Sequence, residues 1–258
     1  MKDIVRQAVN TLGTIAVIAV NGMASASGLN GQLTGEISDR FDVYFVPAGY
    51  VFSIWGLIYL ALIGFTVYQA LPSQRESASL RRIGYLYALS CLANVAWLIL
   101  WHYEYFELTV VAMLSLLGLL IAIYLRLNIG RTRVSTAERW LVHVPFSLYL
   151  GWITVATIAN VTSALSYLNW TGWGISPEIW AVIMLLAAAV IASAVCITRG
   201  DAAYGLVVVW AFAGIAVKHS ATVVALTAWV LAAVVLLALL MGWSRRKQRL
   251  PPLEPSTF

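Results

Sequence analysis

Residues 47–71 read PAGYVFSIWGLIYLALIGFTVYQAL, with no charged side chain anywhere in the stretch. A bilayer core takes about 20 apolar residues as a helix, so this segment is long enough to span one. Pro47 opens it, at the first helical turn, where a missing N–H costs nothing. Outward from it, seven more apolar runs lie near residues 12–27, 83–101, 108–127, 140–163, 177–198, 202–217 and 222–243. The first and seventh are short for a bilayer. Pro177 opens its run as Pro47 does. Hydrophobic residues make up 61% of the chain and charged residues 10%, against about a quarter charged in soluble proteins. That balance excludes a water-soluble domain and a disordered chain alike. The expected fold is an all-α integral membrane protein, an eight-helix transmembrane bundle.

The charges orient the spans. With the N-terminus inside, every Lys and Arg except Arg40 and Lys218 falls on inner segments, and basic inner loops mark the cytoplasmic side. Both termini are therefore expected in the cytoplasm, in a membrane of the bacterial inner (plasma) type. The excess of five positive charges is then topology plus contact with anionic lipids, and nucleic acid is not an expected partner. Lys2, Arg6, the run from Leu12 to Val20 and Ala24-Ser25-Ala26 also fit a signal peptide; the reading preferred is an uncleaved first helix. Residues 28–46, with Gly28, Gly31, Gly35, Glu36, Asp39 and Asp42, form the longest connection, expected as a polar outer lid. The proline-rich end (Pro251, Pro252, Pro255) reads as disordered.

Trp55, Trp97, Trp152, Trp210 and Trp229 fall inside spans, whereas Trp101, Trp140, Trp170, Trp173 and Trp243 fit interfacial belts. A tryptophan in hydrocarbon has an indole N–H that prefers a partner. Helical spacing puts Trp55 with Tyr59 on one face. It puts Asn94, Trp97 and Trp101 on a second, and Tyr149, Trp152, Ala156 and Asn160 on a third. Such stripes serve either as the wall of an aromatic cavity for a flat apolar ligand or as helix packing with Asn94 and Asn160 as hydrogen-bonding glue. Spacing alone leaves both open.

Three patterns at these residues resemble the TspO/MBR family of tryptophan-rich sensory proteins. Pro47, seven residues, Trp55, three residues and Tyr59 are similar to a signature of its second span. Asn94-Val-Ala-Trp97 resembles its Asn-x-x-Trp. Tyr149-Leu-Gly-Trp152 followed by Asn160 resembles its Tyr-x-x-Trp…Asn ending. The resemblance implies a TspO-like five-helix core over residues 1–170, with three additional helices over 171–243 and a cytoplasmic disordered tail over 244–258. It also implies a pocket beneath the first connection, with Trp55 and Trp152 flanking a ligand, Asn94 and Trp97 lining it, and Tyr59, Tyr149 and Asn160 nearby. Porphyrins, heme and sterol-like lipids are the ligands implied, with no required cofactor. Departures are Val46 in place of a first proline, Leu148 before the Tyr-x-x-Trp, and a connection without tryptophan.

No P-loop, dinucleotide fingerprint, zinc-protease motif or nucleophile elbow is present, and no residue is assigned a catalytic role. His102, Glu104 and Glu107 lie close enough to invite a metal, but a solvated loop is the preferred reading. Lys218 and His219 end the seventh span, where a snorkelling lysine is expected, with Glu36, Asp39 or Glu178 as alternative partners. A retinal protein is excluded because the last span has no lysine. Span interiors free of Asp, Glu, Lys and Arg disfavour ion-coupled transport. Cys91 and Cys196 sit in apolar runs and form no framework. The expected function is binding and sensing of a hydrophobic planar ligand; transport of a lipid-like or tetrapyrrole solute is the alternative, and porphyrin degradation a weaker one. Expected partners are that small molecule, membrane lipids and, as a homodimer, a second copy of the chain.

Overall fold

The computed structural model describes residues 1–26, 28–219 and 222–249, and these are helical throughout apart from their connections. In chain order the helices are α1 (Lys2–Ala26), α2 (Thr34–Asp39), α3 (Ile54–Ala70), α4 (Ala78–Ile83), α5 (Leu86–His102) and α6 (Phe106–Arg126). They continue with α7 (Thr136–Glu138), α8 (Val144–Tyr167), α9 (Pro177–Arg199), α10 (Ala202–Lys218) and α11 (Thr222–Arg249). Six helical segments are long and apolar enough to cross a membrane; α5 and α10 are shorter apolar helices. The chain is a helical integral membrane protein.

The polarity of α1 shows what surrounds it. Gln7, Asn10, Thr14 and Asn21 recur at helical spacing and are buried, while Val5, Val9, Leu12 and Ile15 are exposed. A helix in water turns its polar face outward; this one is reversed, as a helix in lipid must be if its polar groups are to find partners. Gln7 and Gln69 exchange side-chain amide bonds with each other's carbonyl oxygens, at 2.6 and 3.1 Å. Thr14 Oγ1 lies 2.6 Å from Thr66 Oγ1 and 2.8 Å from the Tyr87 hydroxyl. These contacts fasten α1 to α3 and α5. On α3 the exposed face is likewise apolar, with Leu57, Leu60, Ile63 and Val67.

At the centre stands α8, in which every residue from Pro145 to Ile153 is buried. It packs on α3, α6 and α10, while α9, α10 and α11 pack on one another, so α10 joins the last three helices to the first group. Glycine permits that junction: a Cβ on Gly151 would stand 3.0 Å from Tyr204 O. Asp201 caps α10 through the Tyr204 N–H at 3.2 Å and accepts from the Tyr124 hydroxyl (2.8 Å) and Ser147 Oγ (2.6 Å). A single buried carboxylate thus ties α6, α8 and α10 together. Alternating helix directions put residues 28–46 at one end, here called the lid end. The segments rich in Arg lie at the opposite, basic end.

Several expectations are corrected. The first helix begins at Lys2, not near Leu12, so Asp3 and Arg6 lie within it, and Arg6 is buried beside Asp3 (2.9 Å) and Arg75 O (2.9 Å). Pro47 is not helical; a 3-10 turn, Gly49–Ser53, leads into α3. Residues 28–46 are not an irregular loop, because Thr34–Asp39 forms α2, and Leu33 N–H donates to Glu36 at 2.8 Å at its start. Residues 244–249 continue α11 and are not disordered; the proline-rich end lies outside the described residues.

Candidate functional site

The segment from Leu29 to Val46 is pinned across the lid end. Leu29 O lies 2.9 Å from His102 Nδ1, which must carry the proton because a carbonyl only accepts; Thr34 Oγ1 lies 3.0 Å from His102 Nε2. His102 is fully buried, which overturns the expectation of a solvated loop with Glu104 and Glu107. Glu104 instead accepts from Gln32 Nε2 (3.2 Å) and Arg40 Nη1 (3.0 Å). The Gln32 amide first, and the Arg40 guanidinium next, hold its carboxyl below the usual range. On the other flank Lys218 pairs with Asp39 at 2.9 Å, and the Tyr44 hydroxyl donates to Glu178 at 2.9 Å. Lys218 therefore has one of the acidic partners weighed from the sequence. His219 Nε2 donates to Val46 O at 3.2 Å, and burial pushes its pKa below the usual 6.5.

Under this lid lies a cavity of about 50 Å³, lined by Trp55, Trp97, Trp101, Trp152 and Asn160, with Thr34, Ser38 and Phe52 among its other walls. Trp55 meets Trp152 edge to face, with centroids 6.1 Å apart, and Phe52 meets Trp152 similarly at 5.7 Å. Trp97 stacks on Trp101 at 5.7 Å. Trp97 Nε1 donates to Asn160 Oδ1 at 3.1 Å, Asn160 Nδ2 donates to Thr109 Oγ1 at 2.7 Å, and Trp101 Nε1 reaches Thr34 O at 3.3 Å. The Trp152 indole N–H, in a residue 2% exposed, has no partner among the described residues. A buried donor left without a partner costs about 1–3 kcal/mol.

The residues singled out from the sequence divide into two groups. Trp55, Trp97, Trp152 and Asn160 meet at the cavity. Asn94, Tyr59 and Tyr149 do not line it. Asn94 accepts from Asn21 Nδ2 and donates to the Tyr149 hydroxyl, each at 2.9 Å, so it is the interhelical glue that the packing alternative described. Tyr59 stacks on Trp55 at 5.3 Å and Tyr149 meets it edge-on at 5.9 Å; they position the Trp55 ring from behind. Trp101, assigned to an interfacial belt, is 4% exposed and lines the cavity. Its place four residues after Trp97 was the signal. Trp210 is satisfied by Val51 O at 3.2 Å, whereas Trp229 is exposed on the bundle surface and contributes to no site.

A second, larger cavity of about 560 Å³ lies on the other side of α8, between it and α9. None of the residues assigned to the ligand pocket from the sequence lines it, although Asp42 of the first connection and Trp170, read as a belt residue, do.

The geometry is that of a helical membrane bundle with a small aromatic cavity under a pinned lid. The chain belongs to the TSPO-like protein family, whose family model matches residues 7–241, from α1 into α11. No curated protein and no solved structure gives a match.

Proposed function

We propose that this protein binds a hydrophobic, planar ligand in the cavity walled by Trp55, Trp97, Trp101 and Trp152, and that binding serves a sensory role. The observation that carries the reading is the unpaired Trp152 indole N–H in a wall of that cavity. A ligand carbonyl or carboxylate would supply its missing acceptor, and four indole rings would supply the apolar faces. Family membership supports a membrane ligand-binding or sensory protein of this kind. Eight spans, with α5 and α10 as the two short ones, and both termini cytoplasmic agree with the basic end of the bundle.

At about 50 Å³ the cavity is far below the roughly 300–1,000 Å³ of a typical ligand pocket. Binding therefore requires α2 to lift and Trp55 to part from Trp152. The polar donors facing the space are hydroxyls, an amide and indole N–H groups, and the lining contains no His, Cys or Met among the described residues. A tetrapyrrole would be held by its ring faces and edge groups, not through an iron ligand from this lining, which favours metal-free porphyrin or a sterol-like lipid over heme.

The test is a titration of detergent-purified protein with protoporphyrin, heme and a sterol, followed by tryptophan fluorescence, beside the Trp55→Phe, Trp152→Phe double variant. Saturable quenching or enhancement by one ligand, lost in the variant, is expected. Equal saturation in both proteins would remove this cavity as the site.

A further inference from the structure

The larger cavity has a chemistry of its own. The halves of α8 and α9 nearer the lid end line it, together with Asp42–Phe45 and the connection between the two helices. Phe45, Ile158, Val161, Leu165 and Met184 make its walls apolar. The hydroxyls of Thr157 and Thr162, which also line it, donate to Ile153 O (2.7 Å) and Ile158 O (2.8 Å) on their own helix. The interior therefore suits hydrocarbon. Its volume, about 560 Å³, lies inside the range of roughly 300–1,000 Å³ for small-molecule sites.

The mouth is different. Trp170 and Trp180 stand there with ring centroids 5.1 Å apart, and Tyr44 also borders the cavity. Asp42, exposed at the rim, is the one charged residue among the described lining residues. Glu178 lies beside the lining Pro177 and accepts from Tyr44. Of the basic groups nearby, Lys218 is paired with Asp39, and His219 packs on the Tyr44 ring at 5.2 Å while donating to Val46 O. Aromatic faces under a carboxylate attract a cationic group, above all a weakly hydrated one such as a quaternary ammonium. An anionic head would meet Asp42 and Glu178 instead.

We propose that this cavity is a binding site for a single-chain amphiphile with a cationic head. Its tail lies between α8 and α9, and its head sits at Asp42 among the rings of Tyr44, Trp170 and Trp180. The site uses the face of α8 opposite the Trp152 cavity and stands whether or not that cavity binds a ligand.

The experiment uses the full chain carrying Trp55→Phe and Trp152→Phe, in uncharged maltoside micelles, so that loss of the first cavity leaves this one readable. Tryptophan quenching is followed with 12-bromododecyltrimethylammonium, the matching sulfate and the matching alcohol. Saturable quenching by the ammonium is expected, about tenfold tighter than by the sulfate, given cation–π and charge contributions at a partly desolvated site. Asp42→Asn, at an exposed position, lowers the preference for ammonium over alcohol about threefold, as an exposed charge pair does. Val161→Phe fills the chamber and abolishes saturation for all three. A sulfate that binds as tightly as the ammonium, or an ammonium preference untouched by Asp42→Asn, overturns the proposal even if Val161→Phe fails to fold. A bromododecyl phosphocholine arm sorts the source: binding there points to a membrane lipid, and binding of the ammonium alone points to a soluble amphiphile.

Discussion

Trp55 and Trp152 touch, edge to face, with ring planes 80° apart. The pair expected to flank a ligand is in contact with itself, and the cavity beside it is closed. Yet the contact leaves the Trp152 N–H unused, so the two rings give up little when a ligand with an acceptor comes between them.

Trp152→Phe should therefore separate stability from binding. An aromatic ring is kept and no hydrogen bond within the protein is lost. The volume lost from indole to phenyl costs stability while removal of an unsatisfied buried N–H restores some, so unfolding in detergent should move by less than about 2 kcal/mol. Affinity for a ligand that accepts from the indole should fall roughly two- to tenfold, the worth of one net hydrogen bond. Equilibrium dialysis beside a thermal melt measures both; a large loss of stability with affinity intact would make Trp152 a packing residue.

Asn94→Ala and Asn160→Ala should behave differently. Asn94 lies between Asn21 and Tyr149, away from the cavity. Removing it strands the buried Tyr149 hydroxyl and leaves Asn21 Nδ2 only its bond to Val17 O, and should cost about 1–3 kcal/mol, with ligand affinity of the folded fraction unchanged. Asn160 lines the cavity and accepts from Trp97, so its loss should lower stability and affinity together. Melting curves combined with ligand titration distinguish the two patterns.

Gly214 is where α10 meets the approach to α3. Its carbonyl accepts from Ala48 N–H at 3.1 Å, and a Cβ there would collide with Val51 Cγ2. Gly214→Ala should destabilise by about 1–3 kcal/mol, the usual cost of overpacking. Val51→Ala in the same chain should recover part of that, a coupling a double-mutant cycle would quantify. Strictly additive losses would show that the two positions do not meet.

The His219 tether should weaken in acid. Burial holds the folded ring below 6.5, with Lys218 acting in the same direction and the Val46 carbonyl and Asp42 acting against it. The folded state therefore favours the neutral ring, and a released segment binds the proton more readily. The tether's contribution is complete above pH 6.5 and is lost as pH falls through the lowered folded value. Protection factors in residues 40–46, with the intrinsic pH dependence of exchange divided out, should fall between pH 7 and pH 5, and His219→Gln, which keeps a donor for Val46 O without a titrating ring, should flatten that change. Pairing of Lys218 with Asp39 is exposed and should add little.

The spans were legible because hydrocarbon demands apolar runs, and the Trp55, Trp97 and Trp152 faces were legible because helices repeat. The start of α1 was not. Its stripe of Gln7, Asn10, Thr14 and Asn21 points inward, so an apolar-run reading begins only at Leu12. Trp101 sits at a helix end, where a belt residue and a cavity wall look alike until α2 is seen to cover it. The α2 helix itself, TGEISD, is too short for periodicity to declare. The space between α8 and α9 has no local signature at all, since it depends on how two consecutive helices stand apart beneath the distant residues Asp42–Phe45.

The reversed polarity of α1 also bears on how the protein is made. It is the least apolar of the six long segments, and the side chains that burden it find their partners outside α1 on α3, α5 and the turns beside them, which emerge later from the ribosome. Until those helices arrive, Gln7 would face lipid with nothing to bond, and Thr14 would have only the Asn10 carbonyl of its own helix. α1 thus precedes its partners, and its residence in the bilayer is secured only when Gln69, Thr66 and Tyr87 reach it.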